Sequence, residues 1–348
     1  MRIEENKPLA RQTTLGIGGP ARWFVEAHSE LDVAESAGWA RESGVPLFVL
    51  GGGSNLLVAD AGFPGLILHV VSKGIERRDD AGGEVLYSAA AGEDWDQFVE
   101  RTLDNDCAGL ECLAGIPGTV GGTPVQNVGA YGQEVSTTID SVRAFDLQKH
   151  KFVEFSNKEC GFSYRRSRFN SYDRGRFIVT RVEYLLKQDG APTLKYSDLQ
   201  RQFDASAKPS LREVGEAVRR IRRSKGMLLV DGDPDCRSAG SFFKNPIVTA
   251  EHAADIADKV GEEPPNFPAG PDKPGQVKLP AAWLIERAGF ARGYALGRAG
   301  ISTRHTLALV NRGGATATEI LALADKIKHA VTQRFGVDLE IEPVLLGF

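Results

Sequence analysis

No stretch of 18 consecutive apolar residues occurs in this 348-residue chain, so no segment reads as a membrane-spanning helix. Charge of neither sign is in excess. Lys and Arg number 42 against 46 Asp and Glu, and the net charge of −4 argues against a nucleic-acid-binding protein. Cysteine is scarce. The four thiols, Cys107, Cys112, Cys160 and Cys236, make no CxxC pair and show no zinc spacing. No metal site is therefore expected, and buried thiols in a reducing compartment are. The opening Met1-Arg2-Ile3-Glu4-Glu5-Asn6-Lys7 is polar and does not read as a signal peptide. Cytoplasmic localisation is the expectation. Two nucleotide signatures are also missing: no G-x-G-x-x-G opens a helix and no G-K-[ST] occurs. A Rossmann domain and a P-loop are both poor fits.

What is present is an ordinary globular composition, 42% hydrophobic and 25% charged, long enough for two or three domains. Glycine is abundant at 39 residues and clusters in turns. Residues 22–27 predict a strand, Ser29 with Asp32 predicts a helix start, and Gly44 a helix end. A second strand follows over 45–50, which makes an α/β unit. Further strands are predicted at 66–70 and 85–90. A helix over 94–106 would place Trp95, Phe98, Val99, Thr102 and Leu103 on one face. Apolar alternation from 142 to 187 suits a mixed or antiparallel sheet. Helices are expected at 211–224, with Val214, Val218 and Ile221 on one side, and at 316–334 through Ile320, Ala324, Ile327 and Val331. The proline-rich 261–276 predicts a surface loop, and 339–345 a short strand with alternating acids.

Two glycine-rich segments carry the functional signal. Gly51-Gly52-Gly53-Ser54-Asn55 follows a predicted strand directly. Three glycines permit positive φ and an anion nest of N–H groups, with Ser54 and Asn55 as side-chain donors; a plain tight turn is the bland alternative. The second segment shifts that balance. Gly115-Ile116-Pro117-Gly118-Thr119-Val120-Gly121-Gly122 runs on to Asn127-Val128-Gly129-Ala130-Tyr131-Gly132. Two such loops suit a long anionic cofactor with a central diphosphate. A third segment, Gly240-Ser241-Phe242-Phe243-Lys244-Asn245-Pro246, sets a hydroxyl beside a cation and an amide, a combination suited to proton donation or phosphate binding.

Taken with Thr13–Ala21, Tyr164-Arg165, Ala282–Ile285 and Glu342, these segments resemble the UDP-N-acetylenolpyruvoylglucosamine reductase family, type I, nearly end to end and in order. The resemblance implies an α+β fold: a two-subdomain FAD-binding module of the vanillyl-alcohol-oxidase/PCMH type, then a smaller α+β substrate-binding domain. The expected divisions are 1–70, 71–220 and 221–348, with the C-terminal strand returning to the active site. It implies noncovalent FAD, since no His or Cys lies in either glycine loop, and NADPH as reductant. The implied substrate is UDP-N-acetylglucosamine enolpyruvate and the product UDP-N-acetylmuramate, for peptidoglycan synthesis and hence cell-wall biogenesis, cell shape and division. The implied partners are small molecules, with no obligate protein partner.

The resemblance also assigns residues. FAD would be held by Gly51, Gly52, Gly53, Ser54, Asn55, Gly115, Gly118, Thr119, Gly121, Gly122, Asn127, Gly129, Ala130 and Tyr131. Arg165 would clamp the substrate carboxylate, although Arg165, Arg166 and Arg168 also read as a solvated basic turn. Ser241 would be the proton donor, against a turn or helix-cap serine. Glu342 would assist the reacting centre, although its neighbour Glu340 competes on chemistry alone. Tyr164, the lid residue Tyr196, Lys225 and Asn245 would bind substrate, while 219–225 also reads as a basic last helical turn. Two other classes compete: an FAD-dependent oxidase on the same module, and a non-catalytic sugar-nucleotide-binding protein.

Overall fold

The computed structural model describes residues 1–79, 82–204, 206–270 and 273–348, and these divide into two compact units. The first comprises Met1–Lys7, Ala21–Gly53 and Phe63–Ser224; the second comprises Pro8–Pro20, Ser54–Gly62 and Lys225–Phe348. Two short N-terminal segments thus belong with the C-terminal third, a long-range pairing invisible to local periodicity.

The first unit holds two large sheets and a short two-stranded ladder at 129–134. One has the strand order Glu4–Pro8, Pro20–Ala27, Phe63–Val70, Leu47–Leu50, and the last two flank each other in parallel, as do Pro20–Ala27 and Phe63–Val70. The helix Glu30–Glu42 makes the crossover. Ser29 accepts from Asp32 N–H at its start, and Gly44 follows its end at φ 64°. The strand predicted from 45 starts at Leu47 instead, because Val45 N–H closes the helix exit by donating to Ala40 O.

The other sheet is antiparallel: Lys151–Ser156, Ile139–Asp146, Phe177–Gln188, Glu84–Ala90, Ile75–Asp79. The helix Trp95–Asp104 lays all five predicted apolar-face residues into the core, where Trp95, Phe98 and Tyr184 pack ring against ring at 5.1–5.8 Å. These rings are part of one continuous apolar core that also takes in Val85, Tyr87, Val142, Ile178 and Val182. The helix Leu211–Ser224 closes against the same core with Val214 and Val218 fully buried.

The second unit is built round the helix Ala317–Phe335. Thr316 and Glu319 form a capping box at its start, Gly336 ends it at φ 67°, and Ile320, Ala324, Ile327 and Val331 are all buried. The expected loop at 261–276 departs from prediction in part. Phe267–Pro268 pairs with Gln276–Lys278 as the edge of a small sheet, a position that proline tolerates; Pro271 and Asp272 lie outside the described residues. The expected strand at 339–345 is also corrected. Only Val344–Leu346 forms a strand, parallel to Leu56–Val58, while Ile341 pairs singly with Phe243. Pro343, with no N–H to give, separates the two pairings. All four cysteines are buried and free, and burial pushes the Cys112 and Cys160 thiols up to about 12.

Candidate active site

In the first unit the two glycine loops touch. A Cβ on Gly52 would stand 2.6 Å from Gly118 Cα, and one on Gly51 would stand 2.8 Å from Thr119 Oγ1. Close approach, not backbone handedness, therefore requires glycine at 51 and 52. Of the triplet only Gly53 takes a positive φ, 60°, which corrects the expectation that all three form the nest by positive φ. Gly115 and Gly118 of the partner loop do adopt it, at 73° and 136°. A Cβ on Gly121 would stand 2.6 Å from the Ala91 Cβ, whereas one on Gly122 would meet no protein atom within 4 Å. Among the described residues, no protein acceptor takes the backbone N–H of Gly52, Gly53, Gly118 or Thr119. Four uncommitted donors on two abutting loops are a ready anion cradle.

The second loop is fixed from behind. Gly115 N–H donates to Asp96 Oδ1 at 2.5 Å, and Gly115 O accepts from Arg222 Nε at 2.9 Å. Arg219 pairs with the same Asp96 carboxylate at 2.7 Å. Arg222 is buried and shares a hydrogen bond with the Tyr131 hydroxyl, so it joins the two halves of the loop; burial lowers its pKa from the ordinary value, opposed by Tyr131 and Asp96. Neither Asp96 nor Arg222 stands among the sequence-derived candidates. The available signal was spacing: Arg222 falls on the apolar face of its helix, four residues after Val218.

At its far end the loop is conformationally demanding. Asn127 and Tyr131 take φ 45° and 49°, uncommon for residues with a side chain. Asn127 is fully buried; its amide donates to Glu134 and Ser163 O and accepts from Ser136 N–H. Its polar atoms thus shape the loop. A Cβ on Gly129 would stand 2.7 Å from Glu134 Cγ, and Ala130 pairs with Gln133 in a two-residue turn ladder. Arg165 sits at the tip of a Ser163–Arg166 hairpin at φ 55°, and its Nη2 donates to Gly129 O at 2.8 Å. The ring of Tyr164 lies 5.5 Å from its guanidinium. The basic cluster therefore divides: Arg168 is bound to Asp173 at 2.7 Å and stacked on Phe155, Arg166 is exposed, and Arg165 reaches the glycine loop. Tyr196 meets Tyr131 edge-on at 5.4 Å.

In the second unit, Phe242 and Phe243 are buried anchors on either side of a paired segment. Glu342 N–H donates to Phe242 O at 3.0 Å and Lys244 N–H to Glu340 O at 2.9 Å. The C-terminal segment thereby lies alongside Ser241. No side-chain hydrogen bond of Ser241 Oγ occurs among the described residues, and Gly240 before it turns at φ 70°. Glu340 is exposed and ion-paired with Lys244, while Glu342 is half-buried. Asn55 turns its side-chain amide to Glu342 O at 3.4 Å, and its backbone carbonyl accepts from Val344 N–H. Ser54 O accepts from Thr14 Oγ1, which also donates to Ser238 O at 2.6 Å. Asn245 Oδ1 caps Ala281 N–H at 2.9 Å, which fixes the direction of its remaining amide donor. Lys225 is half-buried near His305.

Comparison with known proteins agrees with both units. Residues 21–154 match the FAD binding domain family, and residues 233–346 match the UDP-N-acetylenolpyruvoylglucosamine reductase C-terminal domain family. The chain is 46% identical to the UDP-N-acetylenolpyruvoylglucosamine reductase of Thermobifida fusca, covering 98% of this chain and 97% of that protein. The chain belongs to the UDP-N-acetylenolpyruvoylglucosamine reductase family. The family member of Streptomyces coelicolor is 47% identical, over 98% of this chain and 89% of that one. The crystal structure of the Thermus caldophilus reductase superposes with a TM-score of 0.67 at 27% identity, covering 99% of each chain. The fold is accordingly the family's α+β architecture, an FAD-binding domain followed by its C-terminal domain. Among the described residues no helix is long and apolar enough to cross a membrane.

Proposed function

We propose that this chain reduces the enolpyruvyl group of UDP-N-acetylglucosamine enolpyruvate to give UDP-N-acetylmuramate in peptidoglycan precursor synthesis, with FAD as cofactor and NADPH as reductant. The single observation that carries the reading is the pair of abutting glycine loops with uncommitted N–H donors, in a chain whose full length follows the reductase family. The donor set fits a diphosphate: Gly52, Gly53, Gly118 and Thr119 offer peptide N–H groups without a competing carboxylate. FAD held in this cradle would supply hydride chemistry, with NADPH as its reductant, toward the terminal carbon of the substrate's double bond.

Addition there leaves negative charge that runs through C2 into the carboxylate. Arg165 answers that charge. Its Nη2 donates to Gly129 O at 2.8 Å, which sets the planar guanidinium fork at the glycine loop, a geometry that matches a carboxylate. Ser241 gives its proton to C2; a hydroxyl without a competing acceptor suits the task. Glu342, held to the same strand pair, orients that proton or polarises the enol. Tyr164 and Tyr196 flank the substrate, and Lys225 and Asn245 take its diphosphate. In this reading 1–70 and 71–220 are the two subdomains of the flavin module and 221–348 the substrate-binding domain. The partners are small molecules and the setting is the cytoplasm.

An anaerobic absorbance titration tests the reading. NADPH should bleach a flavin band, and UDP-N-acetylglucosamine enolpyruvate should restore it. Bleaching that only oxygen reverses would indicate the oxidase instead, and a protein that takes up no FAD would indicate a binding protein.

A further inference from the structure

The segment Ser302–Ala308 of the second unit is closed by its own hydrogen bonds. Ser302 N–H donates to Ala308 O at 2.8 Å, Ala308 N–H to His305 O at 3.1 Å, and His305 N–H to Ser302 Oγ at 3.3 Å. The turn is also anchored below. Asp235 accepts from Thr303 N–H at 3.0 Å, Thr303 Oγ1 at 2.6 Å and Arg304 Nε at 3.0 Å, while Thr306 Oγ1 donates to Glu286 at 2.5 Å.

One residue links this rigid turn to the candidate proton donor. Leu307 N–H donates to His305 Nδ1 at 3.1 Å, and Leu307 O accepts from Phe242 N–H at 2.8 Å. Phe242 directly follows Ser241. An imidazole that accepts at Nδ1 must be neutral with its proton on Nε2. The surroundings enforce that state: burial, then the Lys225 and Arg292 charges, outweigh Glu286 and hold the imidazole down to about 4.

We propose that His305 is a positioning residue for Ser241, a neutral imidazole whose Nδ1 fixes Leu307, whose carbonyl in turn fixes the Phe242 amide and so the Ser241 hydroxyl. The inference rests on the reading of Ser241 as proton donor. Displacement of a reacting group by an ångström costs orders of magnitude in rate, so a residue that acts only through geometry still registers in turnover.

The test uses three variants of the FAD-loaded enzyme. His305→Asn sets an amide oxygen where Nδ1 stood; His305→Gln moves the amide one bond further out; His305→Leu removes the acceptor. Two readouts are taken: the two half-reactions, and hydrogen exchange at the Phe242 amide. His305→Leu and His305→Gln should reoxidise flavin with the enolpyruvyl substrate roughly tenfold or more slowly. Their KM and their flavin reduction by NADPH should be unchanged, and exchange at Phe242 should be faster. His305→Asn should restore both readouts. Unchanged exchange at Phe242 in His305→Gln, or a slow half-reaction that His305→Asn fails to rescue, overturns the proposal. If Ser241→Ala itself keeps turnover, the proton-donor reading falls, while Phe242 exchange still judges the contact chain from His305 by itself.

Discussion

Glu342 donates its backbone N–H to the carbonyl of Phe242 at 3.0 Å, which lays the C-terminal segment beside Ser241. Alternation then separates the two acids that chemistry alone left equal. Glu340 is 70% exposed at its side chain and pairs with Lys244, whereas Glu342 is half-buried. Glu340→Gln should therefore leave kcat within about twofold, since an exposed pair contributes little. Glu342→Gln should lower kcat by about 100-fold or more with flavin content intact. Steady-state assay of both variants decides, and equal losses would remove Glu342 from the reacting centre.

Ser241→Ala should leave flavin reduction by NADPH near normal and abolish reoxidation by the enolpyruvyl substrate. Phe242 and Phe243 stay buried in the variant, so the segment keeps its anchors. Stopped-flow absorbance separates the two half-reactions. Equal slowing of both would mean that the hydroxyl serves cofactor placement instead of proton transfer.

The glycine loops invite a paired test. Gly52→Ala puts a methyl 2.6 Å from Gly118 Cα, backbone that cannot swing aside, so the loops must part. Gly38, on the helix Glu30–Glu42, has nothing within 4 Å of an added Cβ and lacks a positive φ. Gly52→Ala should weaken FAD binding by about tenfold or more, and Gly38→Ala should leave it within about twofold. Flavin fluorescence titration of the apoprotein measures both. Equal affinities would show that loop contact does not shape the cradle.

The local features of this fold were legible because they are periodic. The stripe Ile320, Ala324, Ile327 and Val331 predicts its own burial, and Ser29 with Asp32 announces its helix. The parts that local pattern leaves unread depend on contacts distant in sequence. Nothing local to Asn55 indicates that its amide serves a carbonyl at Glu342, 287 residues away. Likewise Gly52 looks like a φ requirement until Gly118 is set against it. The catalytic candidates Arg165, Ser241 and Glu342 came from family resemblance, whereas the roles of Asp96, Arg222 and His305 emerge only from the folded contacts.

Tyr196 meets the Tyr131 ring edge-on at 5.4 Å, so its ring and its hydroxyl are separable. Tyr196→Phe keeps the ring contact and should raise the KM for the sugar nucleotide several-fold while flavin content stays normal. Tyr196→Ala loses both and should also loosen the 129–132 loop, lowering FAD affinity. Unchanged KM in Tyr196→Phe would rule out a substrate role for the hydroxyl.

Acid sensitivity should originate in the antiparallel sheet of the first unit. Arg176 donates to the buried Asp146 carboxylate at 2.8 Å, and Gln148 and Lys149 N–H add two more bonds. The Arg176 contact, helped by those amides, holds the Asp146 carboxyl down at about 2, against 3.8 ordinarily. Between those values the unfolded chain binds more protons than the folded one, so stability rises with pH. The contribution is complete above about pH 4 and fades as pH falls through about 2. Asp146→Asn should cost about 1 kcal/mol at pH 7 once solvent screening at the partly exposed Arg176 is allowed for. The gap between wild type and variant should narrow at pH 3. Urea midpoints at pH 7, 4 and 3 measure this, and a gap that stays constant across the three would show that the ion pair does not carry the acid sensitivity.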